Sequence, residues 1–200
     1  MTETPLSPEQ ALAELHLGNR RFVTGTRIHP NQDAEHRATL TETQQPFAVL
    51  FGCSDSRLAA EIIFDRGLGD LFVVRTIGHT YDTQVLGSLE YAVSVLHTPL
   101  VVVLGHNSCG AVRAARETVL TGVAPAGHLG AAVEAVTPSV RSAASQGIED
   151  VDGIVDVHIR RTVEELPRHS AALTSAITAG RCAVVGMSYQ LGAGEVRDIT

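Results

Sequence analysis

Three side chains stand out for the chemistry they could do: Cys53, and a His-x-x-Cys formed by His106 and Cys109. Two thiolates and an imidazole are soft donors suited to Zn2+, and they are one short of the four ligands that close a structural site. The first loop reads Gly52-Cys53-Ser54-Asp55-Ser56-Arg57 and the second Gly105-His106-Asn107-Ser108-Cys109-Gly110. Asp55 and Arg57 are placed to form a charge-assisted pair in which the guanidinium fork holds both carboxylate oxygens. On an exposed loop such a pair is worth only about 0–1 kcal/mol. Beside a metal ligand it would also compete with the metal for the carboxylate. The His-x-x-Cys alone would serve equally as a glycine-flanked turn with a structural histidine, and it is Cys53 that turns the reading to metal.

Each loop follows an apolar run, Phe47-Ala48-Val49-Leu50-Phe51 and the valine-rich Leu100-Val101-Val102-Val103-Leu104, and each precedes a helical pattern. Both loops therefore lie at the carboxyl ends of strands, the edge of an open α/β sheet where ligands bind and where distant segments converge. Cys109 falls at a helix N-terminus, where unpaired backbone N–H groups stabilise a thiolate.

The remaining elements follow from capping and period. Ser7-Pro8-Glu9-Gln10 is a helix start, and Ala11, Leu12, Leu15 and Phe22 carry its apolar face to about Val23, with Gly25 as the stop. That face has no neighbour in sequence, so it packs either on its own domain or on a second subunit. Residues 26–45 are polar and loosely structured, 59–64 form a short helix, 71–75 a strand and 83–97 an amphipathic helix. Helices are predicted from Cys109 to about Leu120, over 129–146, and over 149–180 with a break near Pro167. Residues 182–189 read as a strand, and Gly192-Ala193-Gly194 as a turn into a last strand over 195–199. The alternation predicts an α/β fold: a mainly parallel four-stranded sheet flanked by helices, with an antiparallel C-terminal edge strand. Two hundred residues suit one domain, read as an N-terminal helical arm over 1–45 and a metal-binding core over 46–200.

The formal net charge of −7 disfavours a nucleic-acid binder, which needs a basic face against phosphates. No stretch approaches the roughly 18 consecutive apolar residues of a membrane span, and the polar start lacks the pattern of a secretory signal, so a cytoplasmic location is expected. Three cysteines in a reducing compartment point to metal or catalysis rather than disulfides. Cys182, in an apolar strand pattern, is expected to be a small buried hydrophobe.

The set Cys53-x-Asp55-x-Arg57 followed by His106-x-x-Cys109, each after an apolar strand, resembles the β-class carbonic anhydrases, and the resemblance runs from the Leu-x-x-Gly-Asn-x-Arg-Phe stretch to Tyr189 or beyond. It implies reversible hydration of CO2 to bicarbonate by zinc-bound hydroxide, with one zinc per chain on Cys53, His106 and Cys109. It further implies that Asp55 either takes the fourth position or pairs with Arg57 and opens the site. Phe72, Ile77 and Tyr91 would line the CO2 pocket, Gln44 would donate to substrate across a dimer interface, and the Gly110 N–H would contact it. Phe72 and Tyr91 also read as core, and Gln44 as a loop residue beside Pro46. The family's subunits associate through the N-terminal helix, which implies a homodimer or a dimer of dimers.

Two departures are visible. Gly78-His79 stands where the family commonly has Ala-Asn, which puts an imidazole near the pocket as either a proton relay or an idle surface histidine. Arg75 and Tyr189 match an inhibitory bicarbonate site of some members, but Leu50 replaces its Trp and the chain has none. Relatives that hydrolyse carbon disulfide or carbonyl sulfide share the zinc set, and a structural zinc module closed by Asp55 is the non-enzymatic alternative.

Overall fold

The computed structural model describes residues 6–200. Its first helix, α1 (Pro8–Thr24), begins with a reciprocal cap: the Gln10 N–H donates to the Ser7 hydroxyl at 3.2 Å, and the Ser7 N–H donates to the Gln10 side chain at 2.8 Å. It ends at Gly25, whose φ of 71° is the left-handed conformation a helix stop requires.

A short α2 (Ala34–Thr39) interrupts the polar connection, and β1 (Ala48–Cys53), α3 (Ala60–Ile63), β2 (Leu71–Thr76), α4 (Thr83–Ser94) and β3 (Leu100–His106) follow. The chain continues through α5 (Gly110–Thr121), α6 (His128–Ser145), α7 (Val151–His169), α8 (Ala171–Thr178), β4 (Ala183–Tyr189) and β5 (Val196–Asp198). The strand order is β2-β1-β3-β4-β5; the first four run parallel and β5 pairs antiparallel with β4. The predicted sheet is therefore the observed one. β1 and β3 are buried along their whole length, which is why they read as unbroken apolar runs rather than alternating ones.

Register sets the site. Gly52 lies opposite Leu104 on one side and Arg75 on the other, so Cys53 and His106 emerge at the same edge. The break expected near Pro167 falls at Ser170. Pro167 removes one i→i−4 hydrogen bond from the last turn of α7, which runs only two residues further, and Ser170 then caps α8, its hydroxyl accepting from the Leu173 N–H at 3.2 Å and donating to Glu90 at 2.6 Å.

One face of α1 packs on its own chain. Ala11 and Leu15 are fully buried, and Gly18 meets Phe64 so closely that an added Cβ would lie 1.7 Å from its carbonyl oxygen. The Asn19 amide donates to the carbonyls of Ile63 and Gly194, while its oxygen accepts from the Val196 N–H. Arg21 pairs with buried Asp65 at 2.6 Å, and Arg66 with Glu14 at 2.6 Å. These partners of the helix lie from 44 to 177 positions away, beyond the reach of local periodicity.

Candidate metal centre

Cys53 closes β1, His106 closes β3 and Cys109 caps α5, and their donor atoms lie within 4.8 Å of one another. The His106 Nδ1 sits 2.9 Å from the Asn107 carbonyl, which can only accept, so Nδ1 carries the proton and Nε2 keeps its lone pair. That Nε2 is buried and has no hydrogen-bond partner. An imidazole nitrogen with no hydrogen-bond partner, facing two buried sulfurs, fits a thiophilic divalent cation, and leaving such a group buried and unpaired costs about 1–3 kcal/mol.

The loop is pinned from three sides. The Asn107 N–H donates to the Tyr189 carbonyl at 3.1 Å, the Asn107 side chain accepts from the Leu191 N–H at 2.8 Å, and the Ser108 N–H donates to Asp152 at 2.7 Å. Ser108, at a φ of 57°, pays for the tight turn that aims Cys109 inward. The neighbouring Cys109 thiol holds Cys53 far below the ordinary thiol range against the opposing effect of burial, and the nearness of Cys53 together with burial pushes Cys109 well above it. Backbone N–H groups of Asp55 and Gly78 add to the lowering at Cys53, the latter at 3.4 Å from the sulfur.

Asp55 accepts three hydrogen bonds from Arg57: from Nε at 2.9 Å, Nη2 at 2.8 Å and the backbone N–H at 3.0 Å. The guanidinium holds its carboxyl well below the usual carboxylate range. Asp55 Oδ2 is nonetheless only 3.9 Å from His106 Nε2, so the same carboxylate borders the donor cluster. Arg75 braces this loop, donating from Nε to the Cys53 carbonyl at 3.0 Å and from Nη2 to the Asp55 carbonyl. Leu50 is buried in the sheet, and Tyr189 is buried at the end of β4.

Phe72 and Tyr91 pack with ring centroids 6.3 Å apart, but within one chain they lie away from the cluster, for Phe72 pairs with Val49 near the start of β1 whereas Cys53 pairs with Thr76; Tyr91 and Ile77 are each more than a third exposed. Gln44 is exposed and shares a groove of about 730 Å³ with Tyr91, Arg37, Leu40 and Gly69; the three donors are not among its walls. Gly110 is exposed in the first turn of α5, where its N–H has no intrahelical acceptor.

His79 is not a surface histidine. It is buried beneath the site with neither ring nitrogen hydrogen-bonded, its ring 4.3 Å from that of His158 and edge-on to Phe51. Burial pushes its pKa well below the ordinary value, so it stays neutral at physiological pH. The preceding Gly78 explains the placement: at a φ of 61° it turns the chain inward, and a Cβ there would lie 2.7 Å from that of Ala111. Two other residues passed unnoticed in the sequence. Asp152 holds the second loop, and His158 sits on the buried face of α7 with Ile154, Val155, Ile159 and Thr162. The spacing of a histidine within that apolar face was the available signal.

The family model described as carbonic anhydrase matches residues 48–196, which hold the whole donor set and its loops. The chain belongs to the β-carbonic anhydrases. It is 50% identical over 190 residues to a carbonic anhydrase of Mycolicibacterium smegmatis, covering 95% of this chain and 92% of that one. To carbonic anhydrase 2 of Mycobacterium tuberculosis it is 51% identical over 188 residues, covering 94% and 91%. A tetrameric β-carbonic anhydrase of Sordaria macrospora shares the fold with a TM-score of 0.72 at 23% identity, over 91% of this chain and 93% of that one. The chain is thus an enzyme of the carbonic anhydrase family, and its Cys-His-Cys cluster is able to bind a metal.

Proposed function

We propose that the chain catalyses the reversible hydration of CO2 to bicarbonate and a proton with one Zn2+ per chain, held by Cys53, His106 and Cys109. The observation that carries this reading is the convergence of three buried donors within 4.8 Å, one of them an imidazole nitrogen with no other partner. Zinc there would supply the Lewis acidity that makes water a nucleophile near neutral pH.

The protein's own groups do the rest. Arg57 keeps the Asp55 carboxylate occupied, which leaves the fourth position free and presents an acceptor beside it to orient an attacking water. Released from Arg57, the same carboxylate would take that position and close the site. Phe72, Ile77 and Tyr91 offer apolar walls to an apolar substrate, and Gln44 and the Gly110 N–H offer donors to its oxygens. His79 would relay a proton only by taking charge inside the core, which its burial opposes.

A homodimer or dimer of dimers completes the pocket in this reading. It is supported by the exposure of Tyr91 and Ile77 and by the separation of the Gln44 groove from the donors within one chain. The three free cysteines suit a reducing, cytoplasmic compartment. Among the described residues no helix is long and apolar enough to cross a membrane.

The test is metal analysis beside a CO2-hydration assay. The unmodified chain should carry one zinc and hydrate CO2, and Cys53→Ala should lose both. Full zinc occupancy in Cys53→Ala would remove Cys53 from the ligand set and sink the assignment.

A further inference from the structure

A continuous hydrogen-bonded line runs from the back of the molecule to the first sulfur. Ser139, in α6, lies with its hydroxyl 2.8 Å from His158 Nδ1; His158 Nε2 lies 2.9 Å from the Gly78 carbonyl; and the Gly78 N–H points at Cys53 Sγ from 3.4 Å. Ser139 and His158 are both buried, and Gly78 is buried with them. A carbonyl oxygen can only accept, so Nε2 carries the proton and donates. Burial keeps the ring neutral at physiological pH, with its pKa pushed down to about 4, so Nδ1 accepts from the Ser139 hydroxyl. The tautomer is therefore fixed from both ends.

What the line holds is a glycine in a left-handed conformation, φ 61° and ψ 26°. A glycine has no side chain to lock its dihedrals, so the peptide planes on its two sides must be held separately. The plane that carries its N–H is held through the Ile77 carbonyl, which accepts from the Thr80 N–H at 3.3 Å and the Thr80 hydroxyl at 3.0 Å, and His158 holds the other plane through the Gly78 carbonyl, so that together they fix the aim of the N–H on the sulfur. An N–H donor withdraws charge from a thiolate, and donors of this kind tune a metal through its ligands. We infer that His158, oriented by Ser139, is a positioning residue for the metal centre: it acts through Gly78 to keep a hydrogen bond on Cys53 and so lowers the charge this thiolate donates to the metal. This rests on the metal reading above.

The test uses the full chain loaded with Co2+ in place of zinc, whose thiolate-to-metal charge-transfer absorption reports the donor strength of the sulfurs. His158→Leu keeps bulk but removes the donor, and the band should move to longer wavelength. His158→Gln can present an amide N–H near the position of Nε2 and should return the band towards its original place. A purely structural role would lower the melting temperature of His158→Leu and leave the band unmoved, and that result, in folded protein, overturns the inference. If His158→Leu does not fold, Ser139→Ala decides: loss of the tautomer lock should shift the band the same way by a smaller amount, and an unshifted band overturns the inference. Failure of the unmodified chain to take up cobalt with thiolate absorption would instead overturn the metal reading itself, and this inference with it.

Discussion

The Asp55 carboxylate spends both of its oxygens on Arg57, at 2.8 to 3.0 Å, although one of them lies 3.9 Å from the unpartnered Nε2 of His106. In the proposed mechanism Arg57 and the metal compete for this one side chain, and the two destinations exclude one another. An energy difference of about 1.4 kcal/mol between them changes their ratio tenfold.

Arg57→Ala removes one destination. Hydration should fall by about tenfold or more, with zinc content unchanged, because Asp55 is then free to take the fourth position. Stopped-flow rates set beside metal analysis check this, and near-normal rates in the variant would make Arg57 a bystander.

Gln44→Ala separates substrate binding from folding. Among the described residues Gln44 makes no side-chain hydrogen bond, and it is exposed, so its loss should change stability by no more than the roughly 0.5 kcal/mol typical of surface positions, leaving the melting temperature nearly unmoved, while lowering the hydration rate. A rate equal to that of the unmodified enzyme would return it to the loop.

Asp65 gives the fold an acid limit. Burial alone would raise its carboxyl, but the Arg21 guanidinium and the N–H groups of Ile28 and His29 outweigh burial and hold its pKa below the ordinary value. A carboxyl lowered on folding contributes stability that is present above its unfolded pKa of about 3.9 and is lost as pH falls through the folded value. Asp65→Asn should therefore lower the melting temperature at neutral pH, and the gap between variant and parent should narrow as pH drops below about 4. A gap independent of pH would show that the charge is not what matters.

Glycines of α1 and its cap should rank by what surrounds them. Gly25→Ala meets no atom within 4 Å and suffers only the left-handed backbone, about 1–2 kcal/mol. Gly18→Ala drives a methyl group into the Phe64 carbonyl and should cost more, since the helix must lift from α3. Denaturant midpoints of the two variants decide the order.

The donors Cys53 and His106 and their strands were readable because each carries an unmistakable local mark: a continuous apolar run buried on both faces, then glycine, then a rare side chain. The support around them was not. His158 bonds a carbonyl 80 positions away, and Asp152 an amide 44 positions away, so neither leaves a trace in any window a helix pattern occupies. The choice between a relay and an idle surface position for His79 is not legible either, because two successive positive φ angles, at Gly78 and at His79 itself, turn the chain inward, and no periodicity records that. The resemblance, through Ala-Asn standing where Gly78-His79 does, marked the spot without saying which way the ring points.

Asn19 joins the first helix to the last strand: one amide spans 175 positions to the Gly194 carbonyl and 177 to the Val196 N–H. A chain emerging from the ribosome can therefore assemble both donor loops and the strands β1, β2 and β3 while Asn19 still lacks both of these partners. Closure of the molecule waits for residues 194–196, and contacts of such long sequence separation are the slow ones to form. The seam between α1 and β5 is thus the place where a newly made copy stays longest open to proteases and to pairing with another copy's edge strand.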